Sequence, residues 1–235
     1  MTPSKPKPTT KVRSDRVSGS SSGSLVWIIV VVAVVVVGVA AVLMARDRSQ
    51  GPALSEETGK VELLEPASGG SAEVPTEVKG GLPKATDLAD PAIGMRIPTV
   101  KGTTVDGKPI TIGAERGPKV IVFMAHWCPH CRKEIPLLVD HFAAQGFPDG
   151  VKIYGISTAV DDKSVNYPPS RWLKSANWTV PTLADSADAE AYRIFGAGGF
   201  PYFIAVDANG KVVARNSGEL SMQDFDALVA AAQGK

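Results

Sequence analysis

Twenty consecutive residues, LVWIIVVVAVVVVGVAAVLM from Leu25 to Met44, carry no charge. At about 1.5 Å of rise per residue, a helix of that length covers a hydrocarbon core of roughly 30 Å. A helix apolar on every face has no side to offer to solvent, so a chain with such a run does not fold as one water-soluble core. The run is also too long for the apolar part of a cleaved signal peptide, which is roughly 7 to 15 residues, and it is read as an uncleaved anchor. In lipid the backbone must satisfy its own hydrogen bonds, so even valine, a mediocre helix former in water, is expected to be helical there. Trp27 is expected at the near interface.

The anchor orders the rest of the chain. Lys5, Lys7, Lys11, Arg13 and Arg16 precede it, whereas only Arg46 and Arg48 follow it closely. Positive charge stays on the cytoplasmic side, which places the N-terminus inside and the bulk of the protein in an extracytoplasmic compartment of the cell membrane. Four regions are expected: a disordered basic tail over 1–24, a transmembrane helix over 25–44, a flexible linker over 45–91 and a folded domain over 92–235. The linker reading rests on stretches such as PASGGSAEVPTEVKGGLPK, which show no sustained helical or strand period. A formal net charge of +1, with its basic residues clustered in the tail, does not point to a nucleic-acid partner.

The folded region reads as alternating strands and helices. KVIVFMA, residues 119–125, is a β-branched apolar run that suits a fully buried central strand. Pro129 is tolerated in the first turn of a following helix, because its missing amide hydrogen would have been an orphan there; the helix runs to Gln145 and stops at Gly146. A second strand is predicted over 151–158, a helix over 169–177, a short strand in TVPTLAD and a helix in SADAEAYRIFG. PYFIAVD and VVAR form a hairpin turning at Asn209 and Gly210. Ser221 caps a last helix with Met222, Phe225, Leu228 and Val229 inward. Upstream, IPTVKGTTVDGKPITI is a hairpin turning at Asp106 and Gly107. This order predicts an α/β sheet covered on both faces.

HWCPHC, residues 126–131, holds the only two cysteines. Two cysteines make no multi-bridge scaffold, and a chain of 235 residues needs none. At the junction of strand and helix, the helix dipole and free amides favour the Cys128 thiolate, which makes Cys128 the expected attacking sulfur. Cys131 lies three residues on along the same helical face, close enough to close a disulfide, and is expected as the less exposed resolving partner. His130 is read as a hydrogen-bond donor or partial positive charge beside the thiolate, and Trp127 as apolar surface next to it. His126 and His141 are read as structural.

Other chemistries fit less well. Structural zinc needs four ligands, and a c-type haem site needs histidine directly after the second cysteine, where Arg132 stands. A copper carrier using Cys128, Cys131 and a histidine is the alternative from a different functional class. No phosphate-binding loop and no GxSxG elbow occurs. Neither a metal nor a cofactor is expected.

These residues resemble the thioredoxin superfamily, in its membrane-anchored, outward-facing TlpA-like or ResA-like branch. The resemblance covers about Pro91 to Gln233. It rests on WCPHC after an apolar strand, on Pro136 inside the active-site helix, on the spacing to GGFPYFIAVDANGK, and on the leading hairpin. It implies a thioredoxin-like α/β fold, a central mixed sheet flanked by helices, with the extra strand and helix material of that branch between Val151 and Asp185. It implies that Pro201 is a cis-proline opposite the cysteines, that Phe200 offers its backbone to an extended client peptide, and that Pro129 belongs to the catalytic motif. Two departures stand out. Thioredoxins carry a buried acid on the strand before the motif, and Val122 occupies that position here. The Pro-His dipeptide resembles that of the oxidase DsbA, whereas most reductases of this branch carry other residues.

The expected activity is thiol–disulfide exchange with client proteins through Cys128 and Cys131, tilted towards thiol oxidation, with a membrane redox partner regenerating the pair. The alternative direction is reduction, with electrons supplied to the haem-binding cysteines of apocytochrome c. A peroxidase is disfavoured, because peroxiredoxins place threonine three residues before the reactive cysteine and this chain has Ala125.

Overall fold

The computed structural model describes residues 28–36, 57–70, 75–86 and 89–235. The chain divides into two units, Met1–Gln50 and Gly51–Lys235. In the first, residues 28–36 are helical and exposed throughout. They lie inside the expected span Leu25–Met44, whose other residues fall outside the described ones, as does the whole tail over 1–24. Among the described residues no helix is long and apolar enough to cross a membrane.

The second unit is organised around β4 (Lys119–Met124), which is buried along its whole length. Side chains of a strand alternate between faces, and β4 shows what that does to a continuous apolar run. Val120, Val122 and Met124 enter one core with both cysteines, while Ile121 and Phe123 enter a second core on the other face. Strand β5 (Lys152–Ser157) pairs with β4 in parallel, and β6 (Thr182–Ala184) pairs with β5 in parallel. Strand β7 (Tyr202–Val206) runs antiparallel to β4, and β8 (Val212–Ser217) antiparallel to β7. The five-stranded sheet has the order β6-β5-β4-β7-β8.

The core that contains the cysteines is closed by α1 (Pro129–Gln145) and α4 (Met222–Gln233). Pro136 sits within α1, and Gly146 ends the helix at φ 82°, a left-handed backbone that favours glycine. Ser221 caps α4, its hydroxyl accepting from the Asp224 amide at 3.1 Å. Helix α2 (Pro169–Ser175) contributes Trp172 and Leu173 to the same core. On the opposite face lie the short α3 (Glu190–Ile194) and a second sheet. The helix predicted in SADAEAYRIFG is thus only five residues long.

The second sheet corrects the expectation of a flexible linker over 45–91. The predicted hairpin, β2 (Thr99–Thr103) and β3 (Pro109–Ile112), gains a third strand, β1 (Glu62–Glu65), from within that linker. Further anchors follow on both sides of β1. Glu57 accepts from the amide and the hydroxyl of Ser170, at 3.0 and 2.8 Å, at the start of α2. Leu82 is fully buried and its amide donates to the Ile194 carbonyl at 2.7 Å. Asp90 binds the buried Arg215 guanidinium, whose Nε donates to it at 2.7 Å. The physical reason is that an edge strand offers backbone hydrogen bonds to any segment of extended chain, so β1 needs no apolar period of its own. Residues 45–56, 71–74 and 87–88 lie outside the described residues.

Candidate active site

Cys128 occupies the N-cap of α1, in extended geometry, with Pro129 in the first turn behind it. Its own amide donates to Ala125 O at 3.0 Å, and its carbonyl accepts from Arg132 at 3.1 Å. The chain therefore turns sharply off β4 and carries the Cys128 sulfur to the helix end, where unpaired amides gather. The thiol of Cys128 lies 3.7 Å from the carbonyl oxygen of Phe200. The Phe200–Pro201 peptide is cis, so this carbonyl belongs to the turn that leads into β7. Four of the expected residues, Cys128, Cys131, Phe200 and Pro201, thus come together from two distant parts of the chain.

Cys131 is fully buried beneath Cys128. Burial is the largest cause pushing its thiol up from the ordinary range; the neighbouring Cys128 and Glu134 act in the same direction, and a hydrogen bond with the Ala125 backbone opposes them. Both cysteines are unbonded in this structure.

Trp127 is held by its indole Nε1, which donates to Ala159 O at 2.7 Å. Its ring meets Phe200 edge to face at 5.8 Å, and Phe200 lies 5.0 Å from Tyr192. Tyr192 is fixed from below. Asp185 is buried and accepts from the amides of Ala191 and Tyr192 at 2.8 and 3.1 Å, which caps α3. Three aromatic rings thereby form a contiguous row that meets Cys128 through the backbone of Phe200.

His126 is buried and makes two bonds that assign its tautomer. Nδ1 donates to Val165 O at 2.8 Å, and Nε2 accepts from the Asp161 amide at 3.2 Å. Asn166 also donates to the His126 carbonyl at 3.2 Å. The ring is neutral, and burial is the first cause holding it below the usual imidazole range. His126 therefore pins the loop between β5 and α2, the same loop whose Ala159 carbonyl holds Trp127. His141 binds Asp226 at 2.8 Å on the outer side of α1 and α4. His130 is exposed, with Nδ1 2.5 Å from Glu219 Oε1.

The sequence reading missed Glu134. Val122 points into the core that holds both cysteines, as expected for the apolar residue at that strand position. The buried acid stands instead on α1, three residues beyond Cys131. Glu134 is fully buried; Oε2 accepts from the Leu220 amide at 3.1 Å, and Oε1 has no partner among the described residues. Burial pushes its carboxyl up, with the nearby Glu219 adding to the rise and the Leu220 bond opposing it. The available signal was periodicity: Cys131, Glu134, Ile135 and Leu138 share the inward face of α1, so an acid falls at a core position.

A cysteine at a helix N-cap, a second one buried under it and a cis-proline turn against the first sulfur define a thiol–disulfide oxidoreductase of thioredoxin-like fold. The chain belongs to the Redoxin family, which matches residues 92–231. Its relatives agree with that placement. It is 27% identical to nucleoredoxin of Homo sapiens over 112 residues, 45% of this chain and 24% of the relative, so it spans about a quarter of that protein's length. It is 28% identical to the DsbE homolog of Paracoccus denitrificans, a thiol:disulfide interchange protein, over 141 residues, 59% of this chain and 73% of the relative. A crystal structure from Chlorobium tepidum, described as a thiol:disulfide interchange protein DsbE, superposes with a TM-score of 0.50 at 20% identity. It covers 60% of this chain and 96% of that one, a likeness of fold.

Proposed function

We propose that this chain is a membrane-anchored, extracytoplasmic oxidoreductase that exchanges disulfides with client proteins through Cys128 and Cys131, working mainly as a thiol oxidant. The observation that carries the reading is the position of Cys128: its sulfur sits at the N-cap of α1 and 3.7 Å from Phe200 O, with Cys131 sealed beneath it. Cys128 keeps a narrow exposed edge and Cys131 none, which supports Cys128 as the sulfur that meets a client.

In the oxidising direction a client thiolate attacks Cys128 Sγ of the Cys128–Cys131 disulfide, and Cys131 leaves as a thiolate. A second client thiolate then attacks the client sulfur of the mixed disulfide and expels Cys128 as a thiolate. The client ends with a disulfide and the enzyme with two thiols, a transfer of two electrons and two protons. The helix N-terminus stabilises the Cys128 leaving group. Glu134 is a buried acid whose charge acts on Cys131; in its neutral form it can give a proton to the departing Cys131 sulfur, and in its ionised form it can take that proton back. The aromatic row of Trp127, Phe200 and Tyr192 gives an extended client peptide an apolar surface, and the Phe200 backbone gives it hydrogen bonds.

Reduction is the second reading. The same residues run the exchange backwards when a donor keeps the pair reduced. Anchoring rests on the uncharged run Leu25–Met44 and the basic residues before it. The deciding experiment equilibrates the full-length chain with glutathione buffers and reads the pair by thiol trapping. A potential near about −120 mV supports oxidation, and one near about −270 mV supports reduction. Protease protection of the tail in sealed vesicles, with the head cleaved from outside, tests the orientation.

A further inference from the structure

The exit from β8 touches three separate parts of the site in three consecutive residues. Gly218 donates its amide hydrogen to Pro201 O at 2.8 Å. Glu219 Oε1 lies 2.5 Å from His130 Nδ1 and 3.5 Å from Lys133 Nζ. Leu220 donates to Glu134 Oε2 at 3.1 Å. Just before them, Ser217 packs so closely on Gly199 that its hydroxyl leaves no room there for a side chain. The cis-proline turn, the histidine between the cysteines and the buried acid are therefore held from one short strand exit.

We propose that Glu219 is a positioning residue for disulfide exchange, whose carboxylate grips His130 at Nδ1 and fixes the ring's tautomer and orientation. The inference rests on the oxidoreductase reading and deepens it. A carboxylate only accepts, so the hydrogen of the 2.5 Å bond belongs to Nδ1 of the histidine. An exposed imidazole without such a partner samples several rotamers and either tautomer, and it then contributes little to any one sulfur. Glu219 stays ionised to do this: the bond from His130, with Lys133 beside it, holds its carboxyl below the usual range. The charged groups around the pair are Lys133 on the same helix and Glu134 beneath Leu220.

Glu219 has two routes to the Cys128 sulfur, with opposite signs. Its direct field opposes a thiolate, but its side chain is 37% exposed and water screens that field. The route through His130 favours the thiolate and acts inside the motif, so it dominates. Losing Glu219 should then make the pair a weaker oxidant, and only while His130 is present.

The test is a double-mutant cycle on the full-length chain with Glu219→Ala and His130→Ala. Each form is equilibrated with reduced and oxidised glutathione and trapped. Glu219→Ala alone is expected to lower the equilibrium constant for oxidising glutathione by about two- to fivefold, the range an exposed charge pair supports. In the His130→Ala background the same change should have no effect, and Glu219→Asp should recover part of the loss. Glu219→Gln, which keeps an acceptor without the charge, guards against a folding artefact. An equal shift in both backgrounds, an upward shift or no shift overturns the proposal while leaving the oxidoreductase reading intact. A wild-type chain that never forms the Cys128–Cys131 disulfide would remove that reading as well.

Discussion

Leu220 donates its amide hydrogen to Glu134 Oε2 at 3.1 Å and leaves Oε1 of the same buried carboxyl without a partner among the described residues. One oxygen is anchored, and the carboxyl as a whole acts electrostatically on Cys131. The folded-state pKa is raised above the unfolded value, so the associated stability is fully present below about pH 4.5 and is lost as pH rises through the raised value. Glu134→Gln keeps an acceptor for Leu220 and removes that loss. The variant is expected to be more stable than the parent by about 1 to 3 kcal/mol at pH 8 and equal to it near pH 4, measured by urea unfolding. Its exchange rate should fall by about a hundredfold, as for loss of a general acid–base group. An unchanged rate would mean that another group serves Cys131.

The two cysteines should behave differently on substitution. Cys128→Ser is expected to abolish exchange, whereas Cys131→Ser should accumulate mixed disulfides with clients, seen as reducible adducts on gels after trapping. The reason is access: Cys128 stands at the N-cap of α1 and keeps a narrow exposed edge of 4%, whereas Cys131 has no exposed area. Adducts on the Cys128→Ser protein instead would reverse the assignment.

Acid should loosen the loop that His126 pins. Its ring accepts the Asp161 amide hydrogen through Nε2, and protonating that nitrogen breaks the bond. The folded pKa is depressed by burial, so this stability is present above about pH 6.5 and is lost as pH falls through the lower folded value. Hydrogen exchange at the Asp161 amide is expected to accelerate on acidification relative to amides in β4. His126→Gln should lose that pH dependence, and an acceleration that persists in it would assign the loosening elsewhere.

The segment before the family match should matter to stability. Glu57→Ala removes two hydrogen bonds from the start of α2 and is expected to cost about 1 to 2 kcal/mol in urea unfolding. A soluble fragment starting at residue 57 should accordingly be more stable than one starting at residue 92, which lacks β1, Leu82 and Asp90. Equal stability of the two fragments would show that these contacts add nothing.

Much of this fold was legible because its signals are local. The run 119–125 had to be a buried strand, and β4 distributes it over two cores by simple alternation. Gly146 and Ser221 mark helix ends through backbone conformation and capping, which depend on neighbours in sequence. The docking of residues 57–70 and 75–86 was not legible, because it depends on pairing with β2 and on single anchors such as Glu57 and Leu82. Glu134 was hidden for a related reason: an acid in a helix reads as solvated until its face is known.

The sequence by itself determined that a charge-free run stands before a folded domain, and that two cysteines lie at a strand-to-helix junction. Those conclusions follow from composition, spacing and local propensity. Tertiary structure alone decided that Phe200 O meets Cys128, that Glu134 is the acid beside Cys131, and that Glu219 holds His130. Each of these joins residues far apart in the chain, and such contacts come from how the elements pack, which no local pattern encodes.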